Sequence, residues 1–475
     1  MMMDFYEMTM SYGYFRQTHG DVRVAFDLFF RSVPDRGGYA VFAGLEHVIE
    51  FVENLSFSDE DIDYFRAQNL FSEEFLSFLR GFRFRGDIYA VPEGTIIYPN
   101  EPLMTIVAPI IDAQLIETAI LAQINHQSLI ATKASRIVRA AEGRKVSDFG
   151  ARRAHNMDAA TYGARAAYIG GVDMTATVSA GQQFGIPISG TMAHSWVMFF
   201  EDEFAAFKKY AELYPQATVL LVDTYDVLHS GIPNAIRTAH EVLAPRGHRL
   251  AGVRIDSGDL AYLSKRVRTM LDDAGLTDCK IILSNSLDEF TISSLLLQGA
   301  QVDSFGVGER LITAKSDPVF GAVYKLVAVE KDGVFAPRIK MSENVEKLTN
   351  PGIKDLYRIY DRHGKAVADM LAIQGEEIDL TKPFRYVDPR KPWKNRFFEG
   401  FSAVNLRRLY VRSGKRVEQL PTLEEIRCYV QKQLAEEIWP EEQRFENPHR
   451  HYLDMTPMYY EVKMGLLDDM RGKHS

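Results

Sequence analysis

The stretch Leu250-Ala-Gly-Val-Arg-Ile-Asp256-Ser-Gly-Asp-Leu260 decides the fold. Residues 250–256 are a short, largely apolar run suited to a buried strand. Asp256-Ser257-Gly258-Asp259 is a polar turn, and from Leu260 the apolar residues recur at helical spacing to about residue 274. This is one strand-turn-helix unit. Outward from it the same rhythm repeats. Strand candidates at 145–150, 186–190, 218–223, 280–284 and 304–307 alternate with helical patterns at 158–167, 196–213, 232–243 and 289–298. About six such units in roughly 165 residues predict a parallel α/β barrel or an open doubly wound sheet.

The polar residues choose between the two. Arg152, Asp173, His194, Asp223, Arg254 with Asp256, and Gly306 with Gly308 fall at strand ends or in the loops that follow. A barrel gathers the C-terminal ends of its strands onto one face, whereas an open sheet spreads them along an edge. The expectation is therefore an irregular parallel α/β barrel over residues 131–323. Residues 1–130 mix helix and strand: 58–82 reads helical with Ser58 and Ser72 as N-caps, 86–107 as strands, and 116–141 as one long helix. Strand-like segments return at 324–329 and 336–340. Residues 1–130 and 324–400 are accordingly expected to form one discontinuous α+β flanking domain. Residues 401–475, with helical patterns at 422–438 and 456–472, are expected to form a helical C-terminal tail.

Composition narrows the function classes. Of 475 residues 46% are apolar and 25% charged, which excludes a disordered chain. The net charge of −9 is spread out, which argues against a nucleic-acid-binding stripe and leaves room for a local arginine cluster that takes a small anion. Two cysteines, Cys279 and Cys428, build neither a disulfide framework nor a cysteine-rich zinc site and suit a reducing compartment. Residues 1–10 carry no Lys or Arg ahead of an apolar run, so they do not read as a signal peptide. The apolar stretch 104–124 is interrupted by Asp112, Gln114, Glu117 and Gln123 and is too polar to span a bilayer. A soluble cytoplasmic protein without membrane or nucleic-acid partners is expected.

Four motifs carry chemistry. Phe149-Gly150-Ala151-Arg152-Arg153-Ala154-His155 places an aromatic that can stack on a flat ring beside two guanidiniums that can fork onto carboxylate or phosphate; its bland reading is an exposed arginine pair. Gly190-Thr191-Met192-Ala193-His194-Ser195 sets a histidine between strand and helix, as acid, base or nucleophile, or as a structural cap. Arg254-Ile255-Asp256-Ser257-Gly258-Asp259 packs a cation, two carboxylates and a hydroxyl into six residues. It can hold Mg²⁺ through water and grip hydroxyls or phosphate, or simply cap the next helix through Ser257 or Asp259. Phe305-Gly306-Val307-Gly308-Glu309 has the small residues of a phosphate cradle but lacks the third glycine of a dinucleotide fingerprint. Val219-Leu220-Leu221-Val222-Asp223 is apolar then acidic, like the phosphoribosyl-diphosphate loop of Rossmann-like enzymes. The paired acids and Thr/Gly-rich turn of that loop are missing. No lysine ends a barrel strand, which disfavours Schiff-base chemistry.

Taken in order, these segments resemble the nicotinate phosphoribosyltransferase family, a barrel-type phosphoribosyltransferase family of NAD biosynthesis. The resemblance begins at DFYEMTMSYGY (4–14). It continues through FGARRA (149–154), YIGGVD (168–173), FGIPISGTMAHS (184–195), VDTYD (222–226), VRIDSGDL (253–260), SNSLDE (284–289) and DSFGVGERL (303–311). It implies transfer of phosphoribose from phosphoribosyl diphosphate to the ring nitrogen of nicotinate, coupled to ATP hydrolysis through a phosphohistidine at His194, with Mg²⁺ as cofactor. It further implies a homodimer with shared active sites, in which Phe149 stacks on the pyridine ring and Tyr6 of the neighbouring subunit covers the other face. Arg152 and Arg254 match phosphate- and substrate-binding arginines, Asp173, Asp223 and Asp256 match site carboxylates, and Gly306 and Gly308 match the phosphate loop. Asp223, Arg254 and Asp256 would act with His194 in catalysis, and Ser257 would bind substrate.

Nicotinamide-using relatives keep only the first arginine of the FGARRA motif, which makes Arg153 a candidate partner for the nicotinate carboxylate, with His155 as a helper; a supporting salt bridge is the alternative. Glu309 departs from the threonine often found after Gly-Val-Gly. Two rival functions stay open: a nicotinamide phosphoribosyltransferase on the same fold, and a catalytically silent binding homologue.

Overall fold

In the computed structural model, residues 1–18, 20–340, 348–379, 384–387, 395–398 and 400–474 are described. Parts of the expected return segment 324–400 lie outside them. The chain divides into two compact units, Met1–Leu129 with Val319–Ser475, and Ile130–Pro318.

The second unit holds six parallel strands: β1 (Lys145–Asp148), β2 (Met174–Thr175), β3 (Val219–Leu221), β4 (Gly252–Ile255), β5 (Lys280–Ser284) and β6 (Ser304–Val307). Their order is β2-β1-β6-β5-β4-β3. The first strand lies beside the last, so the sheet is a curled parallel half-barrel that is open between β2 and β3. The expected strand at 186–190 is reduced to a single parallel bridge between Thr175 and Ile188. Pro187 has no N–H to donate to a ladder, and Gly185 and Gly190 on either side weaken extended pairing.

Register explains why polar groups meet. Ile255 pairs with Leu283, Ser284 with Gly306, and Gly306 with Ser147. Asp256, Ser284 and Gly306 therefore share one row at the C-terminal rim. Helices follow as the patterns predict: Met157–Ile169 capped by Asn156, Leu260–Asp273 capped by Asp259, and Glu289–Leu297 capped by Asp288. The expected helix 196–213 is two helices, His194–Phe199 and Glu203–Leu213, because Asp202 accepts from the Ala205 N–H and starts a new one.

The first unit is α+β and discontinuous. Its seven-stranded antiparallel sheet joins Arg23–Phe29, Asp87–Ala90 and Met104–Pro109 to Val323–Lys331, Val334–Pro337, Arg408–Arg412 and Lys415–Arg416. Ser58 forms the expected capping box on Asp59–Ala67, and Ser72 caps Glu73–Arg80. The C-terminal stretch carries the helices Leu423–Lys432 and Pro457–His474, and also contributes strands to both large sheets of this unit. A charged knot is buried here. Arg358 forks onto Asp369 at 2.9 and 2.7 Å. His451 lies between Asp369 and Glu442 and stacks on Tyr98 at 3.8 Å. No helix among the described residues is long and apolar enough to cross a membrane.

Candidate active site

Arg254, at the end of β4, is the hub of the rim. Its guanidinium is 14% exposed and donates to Ser284 Oγ at 2.8 Å, to Thr191 Oγ1 at 3.3 Å and to Asp256 Oδ1 at 3.0 Å. Ser284 Oγ also donates to Asp256 Oδ1. One arginine is thus fixed by three different segments, which orients its fork before any ligand arrives.

Asp223 follows β3, and its side chain is almost wholly buried. Its Oδ2 accepts from the Asp256 N–H at 2.9 Å and from Ser257 Oγ at 2.6 Å. Its Oδ1 is buried with no hydrogen-bond partner. His194 Nε2 lies 3.9 Å from that oxygen, and His194 Nδ1 is 3.2 Å from Thr224 Oγ1. The imidazole is 43% exposed, so it is held at its base yet open to a reactant. Asp259, and not Ser257, caps the helix from Leu260, accepting from the Tyr262 N–H at 3.0 Å. Ser257 is thereby left to the site.

Phe149 sits at the end of β1, its N–H bonded to the Val307 carbonyl at 2.7 Å. Its ring lies over Gly306, where an added Cβ would come within 2.5 Å of two ring carbons. The Arg254 guanidinium stands 5.1 Å from the ring centroid. The glycine at 306 is therefore required for the ring's seat, a role that is separate from any backbone approach to phosphate. The loop beyond is held by Asp148, a fully buried carboxylate that accepts from the Gly150 N–H and from Thr175 Oγ1, both at 2.8 Å. Burial raises the Asp148 carboxyl above its usual range, against the lowering effect of these two bonds. Arg152 and Arg153 are exposed on the short turn Ala151–Arg153. Arg153 Nε lies 3.7 Å from Glu309 Oε2.

Most of the residues singled out in the sequence thus meet at this rim: Phe149, His194, Asp223, Arg254, Asp256, Ser257, Gly306 and Gly308, with Arg152 and Arg153 on the adjoining turn. Asp173 is different. It precedes β2 and not its end, and its carboxylate accepts from the Val146 N–H at 2.9 Å, tying two strands together. Thr191, Thr224 and Ser284 lie inside the quoted motifs but carry no assigned role there, and Asp148 directly precedes FGARRA.

Tyr6 belongs to the first unit, on the helix Phe5–Thr18. It lines a cleft of about 430 Å³ with Met10, Tyr14, Glu117, Tyr324 and Lys325. Burial, then the nearby Glu117 carboxylate, pushes the Tyr6 hydroxyl well above its usual range. Burial lowers the Lys325 ammonium; Glu117 opposes that shift, and Arg31 and Lys340 add repulsion. Arg31 Nε is itself buried without a hydrogen-bond partner. Sequence reasoning missed this cationic cluster because its members are 294 and 15 positions apart.

Comparison with known proteins agrees with this architecture. Models of the nicotinate phosphoribosyltransferase N-terminal domain, family domain and C-terminal domain match residues 1–125, 144–349 and 353–463. A nicotinate phosphoribosyltransferase of Bacillus subtilis is 45% identical over 473 residues, covering 99% of this chain and 95% of its own. The crystal structure of human nicotinic acid phosphoribosyltransferase superposes with a TM-score of 0.85 at 28% identity, covering 98% of this chain and all of the human one. A nicotinate-nucleotide pyrophosphorylase structure from Pyrococcus furiosus gives 0.70 at 26% identity, covering 91% and 94%. With its three segments matched in order and its rim built as described, the chain belongs to the nicotinate phosphoribosyltransferase family.

Proposed function

We propose that the protein transfers phosphoribose from phosphoribosyl diphosphate to the ring nitrogen of nicotinate, giving nicotinate mononucleotide for NAD biosynthesis. ATP hydrolysis is coupled to the transfer through phosphorylation of His194. The observation that carries this reading is the rim itself: a seated aromatic ring, a pre-oriented arginine and two carboxylates converge beside an accessible histidine.

The pyridine nitrogen already has a free lone pair, so no strong base is needed. The barrier lies in breaking the bond to diphosphate, which leaves positive charge on the ribose and negative charge on the departing anion. Arg254 is aimed by Ser284, Thr191 and Asp256 and can take the anion's charge without reorganising. Asp223 and Asp256 can stabilise the ribose cation. Phe149 supports the flat face of nicotinate, and Arg152 and the Gly306-Val307-Gly308 backbone face the phosphates. Arg153 is the candidate partner for the nicotinate carboxylate.

The residues present fit an Mg²⁺ shared with substrate phosphates. Among the described residues no cluster of three His, Cys, Asp or Glu side chains forms a closed metal cage, while the unpartnered buried Oδ1 of Asp223 beside Asp256 offers the one or two carboxylates that Mg²⁺ uses together with phosphate oxygens. Bound there, the ion would neutralise diphosphate charge. Phosphorylating His194 adds about two negative charges at the rim. In the same reading the molecule is a homodimer in which Tyr6 of one copy covers the pyridine ring bound by the other.

The test combines purified protein with nicotinate, phosphoribosyl diphosphate and ATP. The expected results are nicotinate mononucleotide and acid-labile phosphate that disappears in His194→Ala. Turnover with nicotinamide but not nicotinate would assign the amide as substrate. Absence of both product and label would favour a silent binding homologue.

A further inference from the structure

Arg153 faces a carboxylate of this chain, that of Glu309, which opens the short helix Glu309–Ile312 directly after Gly308. The carboxylate is shared unequally. Its Oε1 accepts from Lys315 Nζ at 2.6 Å, whereas its Oε2 is 3.7 Å from Arg153 Nε. Lys315 above all, then Arg153 and Arg310, hold the Glu309 carboxyl below its usual range. Arg310 is itself bonded to Asp288, so it does not compete for Glu309. The Arg153 side chain is 70% exposed. A long contact between two exposed groups is weak, and a carboxylate arriving in fork geometry can displace it.

We propose that Glu309 is a specificity-determining residue: a resident carboxylate that occupies Arg153 in the unliganded protein and yields it to the carboxylate of the pyridine substrate, while Lys315 draws it aside. This rests on the assignment of Arg153 to the nicotinate carboxylate given above. A carboxylate-bearing ring replaces Glu309 with a like charge. An uncharged amide leaves the Arg153–Glu309 pair intact and gains nothing from it, so the pair disfavours the amide by occupying its place.

The arrangement makes opposite signs for two neighbouring substitutions. Glu309→Gln removes the competitor, so KM for nicotinate falls about two- to fivefold, the range that an exposed ion pair gives. Lys315→Met frees Glu309 to close on Arg153, so KM for nicotinate rises by about the same factor. A residue that only braces the loop would move both variants in the damaging direction. Glu309→Asp, which shortens the reach to Arg153, lowers KM like Glu309→Gln and serves if that variant misfolds.

The experiment measures KM for nicotinate and for phosphoribosyl diphosphate in the full-length wild type, Glu309→Gln, Glu309→Asp, Lys315→Met and Arg153→Ala, with thermal melting as a folding control. Opposite shifts in nicotinate KM, with Arg153→Ala raising it, are the expected result. If Arg153→Ala raises KM but the glutamate variants leave it unchanged or raise it, the role of Glu309 is refuted and that of Arg153 stands. If Arg153→Ala has no effect, the assignment of Arg153 fails and takes this proposal with it. A larger shift in KM for phosphoribosyl diphosphate than for nicotinate would place Glu309 on the phosphates and overturn the proposal.

Discussion

Replacing Gly306 with alanine tests the seat of Phe149 directly. The new Cβ would lie 2.5 Å from Cδ2 and from Cε2 of the ring and 3.4 Å from Cζ. Carbon atoms in contact sit about 3.5–4.0 Å apart, so the overlap is about 1 Å. The backbone of Phe149 cannot retreat, because its N–H is bonded to Val307 O at 2.7 Å. Arg254, 5.1 Å from the ring centroid, is held by three partners of its own. The ring must therefore turn away from its place. Forcing a methyl into such a contact costs about 1–3 kcal/mol. Losing the stacked ring costs about 0.5–1.5 kcal/mol of substrate binding, which is about two- to twelvefold in KM for nicotinate. Steady-state kinetics on wild type, Gly306→Ala, Phe149→Ala and the double variant read this as a cycle. The expected outcome is a raised KM for Gly306→Ala in the wild-type background and little further change when Phe149 is already alanine. An unchanged KM, or the same penalty in both backgrounds, would refute the claim that Gly306 acts through the ring.

Three further outcomes follow from the geometry. Thr224→Val removes the hydroxyl 3.2 Å from His194 Nδ1 and should slow formation of the acid-labile phosphate by up to about tenfold, the worth of one hydrogen bond, as read by labelled ATP. Arg358→Met leaves the buried Asp369 without its fork and should cost about 3–5 kcal/mol, measured as a lower denaturation midpoint of the first unit. His451 should make that unit sensitive to pH. Burial alone would lower its pKa, but the facing Asp369 and Glu442 carboxylates outweigh burial and raise it above 6.5, with Arg358, Glu101 and the Tyr98 ring completing its surroundings. A raised histidine stabilises fully below its unfolded value and loses that contribution as pH rises through the folded one. Melting temperature should therefore fall as pH rises beyond the ordinary histidine range in wild type and be flatter in His451→Gln; a wild type with no such fall would contradict the charged imidazole.

Much of this was legible in the chain because it is local. Asp259 caps the helix that begins one residue later, Ser58 meets Asp61 three residues on, and the strand-turn-helix rhythm needs only neighbouring residues. Where reading failed, the competing force was local too. Asp202 starts a second helix within the periodic run 196–213, and Pro187 between Gly185 and Gly190 leaves one bridge in place of a strand. Asp173 shows the limit of position: it stands near a strand as the rim acids do, but at the wrong end, and its carboxylate serves the backbone of Val146.

By itself the sequence determined the alternation of strand and helix, the order of the motifs and the chemical types available at the strand ends, since short-range periodicity and turn chemistry are written in consecutive residues. Only the tertiary structure decided which of those groups meet. The register that sets Asp256, Ser284 and Gly306 in one row, the sharing of Glu309 between Lys315 and Arg153, and the union of Tyr98, Arg358, Asp369 and His451 in one buried knot depend on segments far apart in the chain. Their contacts come from how the sheets curl and pack, and residue spacing carries no record of that.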